Sequence, residues 1–445
     1  MLTAQSYLFM TVLSLFGHAR VTTGSKLMVF LLDGFRWDYF DQPNVTFPGF
    51  KKLFDNGIRT EYTTVDFPSL SIPNYYTLMT GLHVENHGMV GNNMYNEQND
   101  TYFLLSNLTT HYDPAWWKYA EPLWVAAEKQ GKRAYMFYWP GCDVAIRGTS
   151  PTFCEPYFYR NGKYSGIPEM ANSIYKGIQL FKNDSADLVG IFTETIDAYG
   201  HSTGPNSPEL IDKLVAMDGV IGQLMDNLTS EGLADDVTVM IFSDHGMTEI
   251  SPARSVNLTD YIDLDDLKAV VLGAGPLCSI WPKDDKIDKV YNDLVRAKEE
   301  LGHFRVFKKN DIPDEWHYKN HARVAPIITV AEFKWFILQP YKKEFPVTKY
   351  GPLKGYHGYD PQNSDMRGIF VATGPGIKKN VKTKPINTVD IYQLMCHVLG
   401  IKPSANDGIW SHVDDILADT SSVQALCSTS SLIVLCSITL AFFTL

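Results

Sequence analysis

Leu27-Met28-Val29-Phe30-Leu31-Leu32-Asp33-Gly34 decides the fold: six apolar residues in a row, closed by an acid and a glycine. A run that is apolar at every position reads as a strand buried on both faces, in the middle of a sheet covered by helices. Runs of the same kind recur at Arg133–Tyr138, Leu188–Phe192, Val237–Phe242 and Gly368–Thr373. Between them the apolar period becomes helical, over Leu123–Lys129, Met170–Phe181, Glu209–Leu228, Ile287–Glu300 and Val389–Leu399. Strands alternating with helices predict an α/β fold with a mostly parallel sheet sandwiched by helices. From about Ser251 to Tyr356 the pattern is shorter, more charged and more aromatic, with strand-like pieces at Arg305–Phe307 and Ile327–Phe336. That stretch is expected to form a smaller subdomain inserted before the last core strand.

The residues just past the strands carry the chemistry. Leu27–Leu32 runs into Asp33, Leu188–Phe192 leads to Asp197 and His201, and Val237–Phe242 leads to Asp244 and His245. His357 lies in a glycine-rich turn, Gly355-Tyr356-His357-Gly358. Ligands of open α/β sheets bind at the carboxyl ends of the strands, so three aspartates and three histidines are expected to converge. Asp and His without Cys suit catalytic zinc. Six ligands exceed what one tetrahedral ion uses, which implies two metals. Ser71 is expected at the start of a helix, since Pro73 fits a first turn and Tyr75–Thr80 continues it. A helix N-terminus and a bound metal would both lower a hydroxyl pKa, making Ser71 the candidate nucleophile.

Composition bounds the setting. The 445 residues carry a net charge of −11 with histidine neutral, which argues against a nucleic-acid partner. Residues 1–24 read as a signal peptide with the apolar run Leu8–Phe16, leaving 25–418 as the catalytic domain. Residues 419–445 read as a GPI-attachment signal, with small residues to Ser422, a polar spacer and the apolar Leu432–Leu445; Ser421 is the candidate attachment site. The expected location is the outer face of the plasma membrane. Six sequons, at Asn44, Asn99, Asn107, Asn183, Asn227 and Asn257, fit secretion. Cys142 and Cys154 are the disulfide candidates, while Cys278 and Cys396 sit in apolar stretches as buried thiols.

The chain also resembles a known family, the ecto-nucleotide pyrophosphatase/phosphodiesterases of the alkaline-phosphatase superfamily, from about Lys26 to Ser411. The matching pieces are Leu32-Asp33-Gly34-Phe35-Arg36, Ser71 with Asn74-Tyr75-Tyr76-Thr77, His87-Gly88-Met89-Val90-Gly91-Asn92, Asp197 with Gly200-His201, Ser243-Asp244-His245-Gly246 and His357-Gly358-Tyr359. The resemblance implies an alkaline-phosphatase-like fold. It implies one zinc on Asp33, Ser71, Asp244 and His245, and a second on Asp197, His201 and His357. It further implies Asn92 as donor to a phosphate oxygen, with Ser71, Asn92, Asp197 and His357 around the substrate. Two zincs and three ionised aspartates leave a single positive charge, a match for one phosphodiester.

Family members that cleave nucleotides carry Thr as nucleophile, with an aromatic residue next to it; here Ser71 is succeeded by Ile72. With Asp66-Phe67-Pro68-Ser69-Leu70 before it, this segment is most similar to the branch of the sixth member, a choline-specific glycerophosphodiesterase. The resemblance therefore implies release of phosphocholine from glycerophosphocholine, lysophosphatidylcholine or sphingosylphosphorylcholine. A quaternary ammonium is held by aromatic faces and a carboxylate. Tyr157, Phe158, Tyr159, Phe192, Glu194 and Tyr199 are the candidates for that cage. The alternatives are a nucleotide pyrophosphatase and, outside enzymes, a GPI-anchored binding module; a homodimer is left open.

Overall fold

The computed structural model describes residues 25–105, 107–157, 165–273, 275–338 and 353–418. The signal-peptide and attachment segments, Ser421 among them, and the cage candidates Phe158 and Tyr159 lie outside those residues.

Twelve strands define two sheets. In chain order they are β1 (Lys26–Leu32), β2 (Gly57–Thr60), β3 (Ala134–Phe137), β4 (Phe153–Glu155), β5 (Leu188–Thr193) and β6 (Val237–Phe242). They continue with β7 (Leu267–Gly273), β8 (Leu277–Pro282), β9 (Phe304–Lys308), β10 (Ile327–Ala331), β11 (Phe370–Thr373) and β12 (Val381–Thr383). The helices used below are α1 (Pro48–Asn56), α2 (Ser71–Thr80), α3 (Leu123–Lys129), α4 (Ile167–Lys182), α5 (Thr195–Thr203), α6 (Pro208–Ser230), α7 (Ile287–Leu301) and α8 (Ile391–Leu399).

The main sheet has the order β12-β2-β11-β6-β1-β5-β3-β4. β1 is parallel to both β5 and β6, whereas β11 runs against β6 and β2. The fold is α/β with a mixed, mostly parallel central sheet. Leu27 to Leu32 are fully buried, as six successive apolar residues at the centre of such a sheet must be. Helices α1 and α4 each pack on α6, α1 also on β11 and α4 on β5; α8 packs on β1, α2 and α3. The long α6 starts where Ser207 accepts a hydrogen bond from the Leu210 N–H, with Pro208 filling a first position that has no amide partner to lose.

The second sheet, β7-β8-β10-β9, is antiparallel throughout and packs on α7 around its own apolar cluster, which includes Val270, Ile280, Leu294 and Ile327. Cys142 and Cys154 form the expected disulfide, their Cα atoms 5.7 Å apart, and Cys278 and Cys396 are buried thiols. All six sequon asparagines are exposed. Among the described residues no helix is long and apolar enough to cross a membrane.

Candidate active site

Parallel strands put their carboxyl ends on one rim, and the predicted side chains gather there. Asp33 comes directly after β1, and its carbonyl accepts a hydrogen bond of 3.1 Å from the Asp197 N–H. Gly34 makes that approach possible: it has φ +69°, and a Cβ on it would lie 2.8 Å from the Asp197 Cα. Asp244 lies just past β6 and accepts from the Gly34 N–H at 3.1 Å. Asp197 and His201 project from one side of α5, four residues apart, with His201 Nε2 3.4 Å from Asp197 Oδ1. His357 Nε2 reaches to 3.6 Å from the same Asp197 oxygen.

Two overlapping groups of donor atoms result, Asp33–Asp244–His245 and Asp197–His245–His357, each with all its ligand atoms within 4.8 Å of one another. His201 joins the second through an Nε2–Nε2 distance of 3.1 Å to His357. Each imidazole donates its Nδ1–H to a backbone carbonyl: His201 to Gly355 at 2.8 Å, His245 to Gly246 at 2.8 Å and His357 to Ser69 at 2.9 Å. The three carbonyls fix the tautomer, so the Nε2 lone pairs face inward.

Asp33 Oδ1, Asp197 Oδ1 and Asp244 Oδ2 are buried without a hydrogen-bond partner among the described residues. Burial, reinforced by Asp244 and Asp197, holds the Asp33 carboxyl well above the ordinary range, and burial raises Asp197 as well. Burial and the neighbouring His245 and His201 push His357 well down. Inward lone pairs and carboxylate oxygens crowded this closely are relieved by a bound cation. The donor set fits bound metal.

Ser71 is the first residue of α2, at the expected helix start, with Leu70 in the cap position. Its Oγ lies 3.1 Å from His245 Nε2. The loop before it is held by Asn74. That amide accepts from the Asp66 N–H at 2.8 Å and donates to the carbonyls of Asp66, Pro68 and Leu70 at 3.0–3.2 Å. Asn92 Oδ1 accepts from the Ile72 N–H at 2.9 Å, which brings Asn92 beside the helix start.

The cage candidates divide. Glu194 immediately precedes α5 and is half-buried, with its Oε1 shut off from solvent; burial of the carboxyl pushes its pKa up to about 8. Tyr157 donates to Glu194 Oε2 at 3.0 Å, while Oε1 has no partner among the described residues. Phe192 packs edge-on against Tyr157 and Tyr75, with ring centroids 5.7 and 5.3 Å apart. Tyr199 does not belong. Two residues from both Asp197 and His201 on a helix of 3.6 residues per turn, it points to the other side, where Lys213 Nζ sits 4.9 Å over its ring. The sequence motifs give no role to Tyr75, four residues after Ser71 on the same helical face, yet its hydroxyl donates to Asp33 Oδ2. Spacing alone could have found it.

The sequence family described as type I phosphodiesterase/nucleotide pyrophosphatase matches residues 27–360. The chain belongs to this family. It is 35% identical over 393 residues to human ectonucleotide pyrophosphatase/phosphodiesterase family member 5, covering 88% of this chain and 78% of that protein. It is 34% identical over 396 residues to human bis(5'-adenosyl)-triphosphatase ENPP4, covering 88% and 82%, and 31% identical to mouse family member 7, covering 88% and 87%. A solved structure of inactive murine ENPP5 in complex with AMP superposes with a TM-score of 0.79 at 34% identity, covering 88% of this chain and all of that one. These similarities support an enzyme of the phosphodiesterase/pyrophosphatase family, and family membership accords with the candidate metal ligands at the rim.

Proposed function

We propose that the chain is a two-zinc phosphodiesterase that releases phosphocholine from choline phosphodiesters through a phosphoseryl intermediate on Ser71. Asp33, Asp244, His245 and Ser71 would hold one zinc, and Asp197, His201 and His357 the other. Bound there, the ions supply Lewis acidity toward the phosphate oxygens and acidify the serine hydroxyl. The remaining work belongs to the side chains. Ser71 Oγ, at the positive end of α2, attacks phosphorus in line as the bond to the leaving alcohol breaks, and water then releases phosphocholine from the serine. Asn92, its carbonyl oxygen fixed by the Ile72 amide, would donate its Nδ2–H to a non-bridging oxygen in the transition state.

The observation that carries the choline assignment is Glu194: a half-buried acid with one enclosed oxygen that has no partner among the described residues, bonded by Tyr157, beside the ring of Phe192 and next to the metal-ligand helix. A cation that donates no hydrogen bond suits that environment. Ile72 also offers no π-face for a nucleobase. The second reading, nucleotide hydrolysis, is favoured by the relatives, one named a bis(5'-adenosyl)-triphosphatase and one solved with AMP. The separating experiment offers the protein glycerophosphocholine, diadenosine triphosphate and bis-nitrophenyl phosphate, with and without chelator. Chelator-sensitive phosphocholine release is the expected result; cleavage of the nucleotide alone would replace this substrate assignment with the second reading. We infer from the apolar run Leu8–Phe16 and from the small, polar and apolar order of residues 419–445 that the enzyme acts at the outer cell surface on a GPI tether.

A further inference from the structure

We propose that Tyr75 is a positioning residue of the metal centre, holding Asp33 as a ligand through a single oxygen. The inference rests on the metal-centre reading above and extends it to a residue outside the ligand set. The Tyr75 hydroxyl donates to Asp33 Oδ2, so that oxygen is engaged. The other, Oδ1, is buried without a partner and lies 3.5 Å from His245 Nε2, facing the donor cluster. A carboxylate bonded on one side only is fixed in rotation and presents one lone-pair set to an ion. Outer partners of this kind typically contribute about tenfold to a hundredfold in metal affinity.

The placement links two parts of the site. Tyr75 lies four residues after Ser71 on α2, so one helical face carries both the serine and the clamp on Asp33. The Tyr75 ring also packs edge-on to Phe192, whose other neighbour Tyr157 bonds Glu194. Helix α2 thereby fixes the nucleophile relative to a first-strand ligand and to the head-group pocket.

Tyr76 is the built-in control. It is the adjacent residue, equally a buried tyrosine, but its hydroxyl donates to the carbonyls of Trp117 at 2.7 Å and Ala120 at 3.1 Å, away from the cluster. The test strips the purified protein of metal, titrates zinc back against a competing chelator, and compares Tyr75→Phe with Tyr76→Phe. Tyr75→Phe should need about tenfold to a hundredfold more free zinc for half-loading, with Tyr76→Phe unchanged. Should Tyr75→Phe be destabilised, the zinc-induced rise in Tm, measured from each variant's own metal-free Tm, carries the comparison. It should be smaller for Tyr75→Phe alone. Equal zinc affinity in Tyr75→Phe and wild type, or equal weakening in both variants, overturns the positioning role and leaves the metal centre standing. No zinc uptake by the wild type overturns the metal centre, and the role of Tyr75 falls with it.

Discussion

Strands β1, β5 and β6 of the main sheet lead into Asp33, into Glu194 and Asp197, and into Asp244 with His245. The strands of the second sheet meet ordinary surface ion pairs instead, such as Lys308 with Asp288 at 2.7 Å and Lys268 with Glu97 at 2.7 Å. The difference is topological. Parallel strands deliver all their carboxyl ends to one rim, so groups more than two hundred residues apart meet, as Asp244 Oδ1 and the Gly34 amide do. An antiparallel meander divides its strand ends between two edges, and no comparable cluster is found there among the described residues. The second sheet contributes through the connection between β9 and β10. Tyr318 donates to the Val90 carbonyl at 3.0 Å, and Arg323 donates to those of Gly88, Trp116 and Ala115 at 2.7 Å. Gly88 and Val90 lead directly to Asn92. One sheet supplies the candidate site groups, and the other braces the segment that leads to Asn92.

The largest expected effect is at the rim. Ser71→Ala should lower turnover by more than about a thousandfold while leaving the metal-free Tm within a few degrees of wild type. Initial rates with calorimetry on the same sample check both. A similar loss from Lys308→Ala would erase the contrast between the sheets.

Glu194→Gln comes next. It should raise KM for a choline substrate about tenfold or more and spare bis-nitrophenyl phosphate. It should also change the pH dependence of stability. Burial holds Glu194 at about 8 against an ordinary 4.5, so between those values the folded, metal-free protein keeps a proton that the unfolded chain releases. That group therefore makes stability fall as pH rises from about 5 to 8. Glu194→Gln should flatten the fall, read as Tm against pH in chelator.

Bracing is a smaller matter. Arg323→Met leaves three carbonyls without their donor and should lower stability by about 1–3 kcal/mol. It should reduce kcat several-fold through Asn92 with zinc content unchanged, measured by denaturant unfolding and metal analysis. Last, Lys308→Ala removes an exposed pair and should change stability by less than about 1 kcal/mol and activity not at all.

The same contrast explains how much of the molecule is legible in the sequence. Leu27–Leu32 and Val237–Phe242 announce themselves because central strands are apolar on both faces, and the acids and histidines after them are visible as motifs. β7 and β8 escape such a reading because polar residues such as Lys268 and Ser279 interrupt their apolar runs, although apolar clusters cover both faces of that sheet. The last core strand is visible in the sequence, but its reversal in β11 is not, since direction is set by connections rather than composition. Arg323 acts through partners up to 235 residues away, and no local pattern announces such a bond. Tyr199 shows the opposite error, a residue near the site in sequence that the turn of its helix carries away.

The central claim is that the rim of the main sheet performs phosphoryl transfer through Ser71. Its most direct test is an acid quench during glycerophosphocholine turnover, with mass analysis of the peptide containing Ser71. A phosphocholine adduct on Ser71 that disappears after chelation is the expected result. Full-rate product formation with no adduct, or an adduct on any other residue, would contradict it.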